Sequence, residues 1–576
     1  MIVIGKSIKN YTADADKALS PAETVDRARA AFLRHDQEIL SELKRIDTGR
    51  LGIPVYLSIC GEKARGAMPT RKQMGKGATP VQAQASALME MAERFSYFSF
   101  TADKQNFENM TWDQAEQKSG NKLIPVKEII KSVNEDISVS RAGKILSLVE
   151  WQFASATLIH EQKDYLIPFN WFKKLNEFNG CSAGNTFEES ILQGICELIE
   201  RHCCAAVDSR AQVTPTIDQE SVRDPVLKDL LSRFRRNNIK ILIKDFTLDM
   251  PVPTVAALAY DPATFPELSE IVFTAGTATS PAKAAIRALT EVAQLAGDFH
   301  SASNYEASGL PKYRSLDQIT WLTRGPLTSL DSLPDISGQD MGLELTNLCH
   351  GLKNLGFNTY SVSTMHEDLK IPANYNFIPG FLFRERASRP SLGLITGRIL
   401  AEEGDPVQAL QGLQKLSDIY PGAFFIPFFQ GLLCLRMNEQ DQALLKFRQA
   451  LDIQPDAESK ALCAFYTAYT LSGMQQWEAC VPFLDMAVNL DPQVKEYYNL
   501  RGVAYFKQQK FDSAASDFKN ALKLDSGSAT DLANLGLCYQ KTGQNKAAAE
   551  MLSKALELDP ALCYAKKSLA EISLCR

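Results

Sequence analysis

Glu189, Gln193, Glu197, Glu200 and Arg201 recur at intervals that a helix gathers onto one face. The other face of the same stretch carries Ile191, Leu192, Ile195, Leu198 and Ile199, so one side can pack while the polar side projects as a group. Carboxylates aimed at one place repel one another and raise one another's pKa unless a cation joins them. Mg²⁺, a hard ion that seeks oxygen, is the cation expected there.

A single polar stripe is an ordinary solvated face, but here the stripe is repeated. Residues 75–95 align with the first stretch without a gap, placing Thr79 on Thr186, Glu90 on Glu197, Glu93 on Glu200 and Arg94 on Arg201. A third stretch, 280–294, puts Arg287 and Glu291 where Ser86 and Glu90 stand. Each stretch opens with a Thr or Ser suited to cap a helix and carries its Glu eleven residues later. Three converging copies describe a pocket of helix N-termini, carboxylates and guanidinium groups, which suits a metal-bound triphosphate. Arg201 or Arg287 can balance phosphate charge. The Gly75-Lys76 pair is no Walker loop, because Thr70 stands where the earlier glycine is required and Gly77 where Ser or Thr is required.

The patterns Ser86-x3-Glu90-x2-Glu93-Arg94 and Glu189-x3-Gln193-x3-Glu197-x2-Glu200-Arg201, with GKGAT before the first and Ser182-x2-Asn185 before the second, resemble the ATP-site signatures of the YcaO superfamily. The resemblance covers residues 1–385. It implies that Glu90, Glu93, Glu189, Glu197 and Glu200 hold Mg²⁺ and nucleotide, with Glu197, Glu200 and Arg287 as the catalytic set. It implies nucleotide contacts for Lys17, Ser86, Ser182, Asn185, Gln193, Arg201, Arg287 and Glu291, and a short match at KALSPAETV adds Thr24. The cofactors expected are therefore ATP and Mg²⁺.

A chain of 576 residues has room for more than one core. Its net charge of -6 and the lack of any Lys/Arg-rich run argue against nucleic acid or an anionic membrane as partner. The start of the chain turns polar after four residues and no run of 18 apolar residues occurs, so neither a signal peptide nor a membrane span is expected. The twelve cysteines are scattered without metal-ligand spacing, and the His202-Cys203-Cys204 run points in several directions on a helix, so a reducing cytoplasm without a zinc site is expected.

The elements that must position the polar faces follow from periodicity. Residues 15–48 read as one or two helices, 52–60 as a strand, 146–170 as strands, and 239–247, 252–261 and 270–279 as strands, the last leading into the third helix. Residues 310–347 read as a long surface excursion, 357–364 as a strand and 383–390 as a linker. The fold expected is an α+β arrangement of sheets covered by helices.

Beyond it, Gly397, Gly431, Ala468, Gly502 and Gly536 stand 34, 37, 34 and 34 residues apart. A small residue follows each by twelve (Ala409, Ala443, Cys480, Ala514, Ala548), and Pro421, Pro455, Pro492 and Pro560 close four of the units, with Ser526 in the fifth. This is the tetratricopeptide pattern, five repeats with a covering C-terminal helix. The boundaries expected are a catalytic domain over 1–385, a linker over 386–391 and repeats over 392–576. Asn499, Arg501, Lys507 and Asn534 fall on or near groove-lining helices and are candidates to grip a peptide.

The function implied is activation of a peptide or protein backbone amide by phosphorylation of its oxygen. The chain runs on into repeats and lacks the Pro-rich tail typical of cyclodehydrating relatives, which turns the expectation towards thioamidation, with azoline formation or a catalytically idle repeat-bearing adaptor as alternatives. The partners expected are the peptide or protein substrate and a sulfide-delivering or activating protein held by the repeats, with a homodimer left open.

Overall fold

The structure is a computed structural model that describes residues 2–33, 39–266, 269–296, 299, 313, 315–384, 390–525 and 527–574. Two compact units divide the chain, Met1–Leu392 and Gly393–Arg576. The expected linker lies mostly outside the described residues, as does Ser526.

Among its described residues the first unit contains three sheets. One is the antiparallel set Leu40–Arg45, Val55–Cys60 and Lys72–Lys76. A second runs Val272–Thr277, Thr254–Tyr260, Lys240–Asp245, Thr216–Ile217 and Leu327–Thr328. The third runs Glu108–Thr111, Glu150–Leu158, Tyr360–Ser363, Ala373–Phe377 and Cys181–Ala183, with Lys163–Pro168 paired to Glu150–Leu158.

Each sheet ends in an edge strand that leads, after three residues, into one of the polar-faced helices. Lys72–Lys76 leads into the first site helix, Pro80–Ala102; Cys181–Ala183 into the second, Phe187–Ser209; and Val272–Thr277 into the third, Pro281–Ala296. Thr79 Oγ1 accepts from the Gln82 N–H and Thr186 Oγ1 from the Glu189 N–H, capping as expected. Each site helix has its own apolar bed. The first packs with Phe32 and Ile371, the second with Leu345 and Phe381, and the third with Phe234 and Val255.

The strand-to-helix contact is close enough to dictate residue size. A Cβ at Gly75 would lie 2.0 Å from the Ala87 nitrogen, and one at Gly276 would lie 2.6 Å from the Ala288 nitrogen. In the second copy the small residue changes sides. Ser182 occupies the strand position, and a Cβ at the helical Gly194 would lie 2.7 Å from Ser182 Oγ and 2.2 Å from Asn376 Nδ2.

Three sequence expectations change. Among the described residues of 15–48 only Pro21–Phe32 is an α-helix, and 34–38 lie outside them; Leu40–Arg45 is a strand, because pairing with Val55–Cys60 satisfies its backbone and overrides the helical spacing of Ile39 and Leu43. The 310–347 segment is no bare loop over its described residues. Leu327–Thr328 pairs in parallel with Thr216–Ile217, Ile319, Leu322 and Leu330 are buried, and the helix Met341–Asn354 begins inside it. The strand Lys72–Lys76, absent from the sequence reading, forms an edge of its sheet.

Among its described residues the second unit is five helix pairs, from Leu392–Glu403 with Pro406–Ile419 to Ala529–Lys541 with Asn545–Leu558, followed by Cys563–Leu574. The four prolines each fall two residues past a helix end. Gly431 and Gly502 are small because a Cβ would meet the rings of Phe447 and Phe518 at 2.7 and 2.9 Å. Asn499 and Arg501 hold the solenoid together instead of facing it freely: Asn499 donates to Asp531, and Arg501 binds Asp485 and Asp517. The Lys507 ammonium stands 5.9 Å from the Trp477 ring centre. Asn534 is half-buried.

Candidate active site

The polar faces of the three site helices line a single cavity of about 430 Å³. The first helix contributes Ser86, Glu90, Glu93 and Arg94; the second Glu189, Gln193, Glu197, Glu200 and Arg201; the third Arg287 and Glu291. The five apolar residues expected on the far side of the second helix are all buried. Lining comes chiefly from the middles of the helices. The start of the first helix, at Gly77, Ala78 and Gln82, and Glu189 in the first turn of the second are the N-terminal contributions.

The N-terminal segment closes one wall. Lys17 Nζ donates to Gln193 Oε1 at 2.8 Å and lies 3.3 Å from Glu189, whose other oxygen accepts from the Ala18 N–H at 2.9 Å. The Gly5 N–H donates to Glu188, and the hydroxyls of Ser7 and Thr186 are 2.9 Å apart, so this segment is laid along the start of the second helix.

Acidic and cationic groups alternate across the cavity. Arg94 pairs with Glu90 at 2.9 Å and Glu93 at 3.3 Å, and its guanidinium lies 4.5 Å from the Phe178 ring centre. Arg201 stands 3.9 Å from Glu197, and Glu200 accepts from the Thr277 N–H at 3.1 Å. Burial pushes the Glu93 carboxyl well above its ordinary value; Arg94 opposes the shift, and Glu90 and Glu197 add to it. Burial also raises Glu197, against the pull of Arg201 and Arg94. Lys76, paired with Glu291 on the third helix, is lowered to about 8 by burial and then by Arg287.

Burial makes the ionised forms of Glu93 and Glu197 costly unless a cation joins them, and the donors are all oxygen, so the set fits a hard divalent cation. Among the described residues no three His, Cys, Asp or Glu side chains form a ready metal cage. Mg²⁺ keeps several waters and takes one or two carboxylates together with substrate phosphates.

Two expected nucleotide contacts are not among the lining residues. Ser182 is buried, its hydroxyl accepting from Asn376 Nδ2 at 3.0 Å and lying 3.3 Å from Ser190 Oγ. Asn185 donates to Thr24 Oγ1 at 3.1 Å and to Glu189 at 3.3 Å, which places it behind the wall. Thr24 itself lines the cavity. His202 stacks on Phe381 with ring centres 4.4 Å apart and accepts from the Leu382 N–H, a packing role.

Sequence reading passed over Lys76 and Asp14. Lys76 lies in the GKGAT run and was visible as a cation beside a cap. Asp14 Oδ2 accepts from the Ala78 N–H at 3.1 Å, a contact from far along the chain that no local signal announces.

A cavity walled by carboxylates and cations from three strand-to-helix units defines a site for handling anions and metal. The family model described as YcaO cyclodehydratase, ATP- and Mg²⁺-binding, matches residues 74–382, more than half of the chain, and the chain belongs to that family. Tetratricopeptide models match residues 496–528 and 532–562. An uncharacterized protein of Methanothermobacter thermautotrophicus is 26% identical over 378 residues, covering 63% of this chain and 94% of the relative. The ribosomal protein S12 methylthiotransferase accessory factor YcaO of Escherichia coli is 26% identical over 212 residues, with 33% of this chain and 35% of the relative covered. Two solved structures share the fold. YcaO from Methanopyrus kandleri bound with AMPPCP and Mg²⁺ has a TM-score of 0.50 at 19% identity, over 67% of this chain and 100% of that one. A heterocyclase in complex with substrate and cofactor has a TM-score of 0.51 at 18% identity, over 66% and 54%.

Proposed function

We propose that the chain uses ATP and Mg²⁺ to phosphorylate the oxygen of a backbone amide in a peptide or protein, so that a nucleophile can replace it, and that the product is a thioamide. The observation that carries this reading is the single cavity into which three helices bring carboxylates and cations together. The Mg²⁺-AMPPCP complex of a protein with the same fold supports the choice of nucleotide.

Glu90, Glu93, Glu189, Glu197 and Glu200 supply the oxygens that hold Mg²⁺ and nucleotide. Mg²⁺, when bound, neutralises phosphate charge. Lys17, Lys76, Arg201 and Arg287 orient the phosphates, while Ser86, Gln193 and Glu291 bound the same space. Ser182 and Asn185 act from behind, Asn185 by fixing Glu189. An adduct of the amide cannot expel its oxygen until phosphate is on it, so the work left to these side chains is alignment and charge neutralisation.

The repeats receive a protein, either the substrate or a sulfide-delivering partner. No helix among the described residues is long and apolar enough to cross a membrane. The eleven described cysteines are all free thiols, ten of them buried, which supports a reducing compartment such as the cytoplasm.

Calorimetry of ATP with Mg²⁺, followed by proteome mass spectrometry of a strain lacking the chain, tests the reading. Nucleotide binding together with loss of an oxygen-to-sulfur mass gain is expected. Absence of binding would leave a repeat-bearing adaptor, and loss of a dehydration mass shift instead would indicate azoline formation.

A further inference from the structure

Among the described residues the strand Lys72–Lys76 has a neighbour on one side only, Val55–Cys60. The Cys60 N–H donates to the Arg71 C=O at 2.9 Å, and this bond sets the alternation along the pair. Gln73 and Gly75 bond to Ser58 and Tyr56, while Met74 and Lys76 turn their N–H and C=O groups away from the sheet. The Ile46 N–H donates to the Val55 C=O at 2.9 Å on the far side of the middle strand, as the same alternation requires. Among the described residues these outward groups of Met74 and Lys76 have no hydrogen-bond partner. The outward N–H of Thr277, on the edge of the second sheet, is by contrast already taken by Glu200.

Lys72, Gln73 and Met74 all line the main cavity, together with Lys76. Successive side chains on a strand point to opposite faces, so consecutive lining residues mean that the cavity runs along the edge of the sheet and not over one face. Met74 and Lys76 are half-buried there. Unpaired main-chain groups on such an edge are a template for one more strand.

We propose that this edge binds the peptide to be modified as an added strand, held by main-chain hydrogen bonds to Met74 and Lys76. The inference rests on the reading that a backbone amide is the substrate and names where that backbone is held; it does not depend on the nucleophile. The chemistry of the edge specifies the occupant. It offers N–H and C=O groups at an interval of two residues, about 6.8 Å, and an extended main chain answers both. The added strand alternates in its turn. Every second residue bonds to the edge, and the residues between turn their C=O groups away from it, towards the cavity. One mode of docking thereby grips the chain and presents an amide oxygen beside Lys76 and Glu291, without reading the side chains of the peptide.

The test uses the purified full chain and, as probe, the peptide that carries a mass mark in a wild-type proteome and lacks it in a strain without the chain, synthesised in unmodified form. Met74→Pro removes the outward N–H, and because that group takes no part in the pairing with Val55–Cys60 the sheet should persist. Modification of the probe below saturation is expected to fall about tenfold, with the affinity for ATP and Mg²⁺ within about twofold of wild type. Met74→Ala, which keeps the N–H and shortens the side chain, should lose much less. On the wild-type chain, the probe with Mg²⁺ and a non-hydrolysable ATP analogue should slow hydrogen exchange at the Met74 amide, a measurement that stands even if Met74→Pro does not fold. Wild-type modification by Met74→Pro, an equal loss in Met74→Ala, a parallel fall in nucleotide affinity, or an unprotected Met74 amide in the probe complex overturns the proposal. If no peptide carries a mark, the backbone-amide reading has failed, and the edge assignment falls with it.

Discussion

The ammonium of Lys76, on the edge strand before the first site helix, is paired with the carboxylate of Glu291 on the third. Two of the three strand-to-helix units are thereby tied across the cavity by a contact that an incoming anion would exchange for its own. Burial holds Lys76 at about 8, so its charge is titratable near neutrality.

Nucleotide affinity should therefore fall as pH rises through about 8. Above that value the free protein has released the Lys76 proton while the phosphate complex keeps it, so binding takes up a proton and weakens about tenfold per pH unit. Lys76→Arg, which stays charged, should flatten the profile, and calorimetry at a series of pH values measures both.

Glu197→Gln and Glu90→Gln should lower ATP turnover by about 10²–10³-fold or more while the fold persists, because each removes an anionic oxygen from the shared cavity. Normal hydrolysis by either variant would show that the site is wrongly assigned. Circular dichroism serves as the control for folding.

Stability of the ligand-free chain should decline as pH climbs above 4.5, the ordinary value of the Glu93 and Glu197 carboxyls. Their folded-state values are raised, so the native chain holds protons that the unfolded chain has lost. The stability they contribute is complete below 4.5 and is lost as pH passes the folded-state values. Mg²⁺ with nucleotide should restore the melting temperature at neutral pH, and Glu197→Gln should raise it without ligand.

Gly194→Ala should destabilise the first unit by about 1–3 kcal/mol, since its methyl would meet Asn376 and Ser182. Ser182→Gly in the same chain recreates the arrangement of Gly75 with Ala87 and should recover part of the loss. Nucleotide affinity in the double variant reports whether Ser182 touches the ligand at all.

Arg501→Ala should cost the repeat unit about 3–5 kcal/mol by stranding Asp517, which is 5% exposed. Nucleotide binding by the first unit should be untouched, and denaturant unfolding followed alongside calorimetry separates the two effects.

What could be read in advance was what local spacing encodes. The caps at Thr79 and Thr186, the polar and apolar faces of the second site helix and the small residues of the repeats each depend on neighbours within a few turns. Lys76, Asp14 and the strand Leu40–Arg45 acquire their places through partners remote in sequence, and no periodicity records such partners. Ser182 and Asn185 sit beside the site in sequence and behind it in space. Spacing alone does not separate the residue that faces a cavity from the one that holds its wall.

Glu90, Glu197 and Glu291 all reach the cavity eleven residues after Thr79, Thr186 and Ser280. That interval works as a phase setting. Adding or deleting one residue between cap and carboxylate would turn the acid by about 100° and carry it off its face. Length variation can therefore be absorbed in the loops between the three units, while these three short intervals have no such freedom.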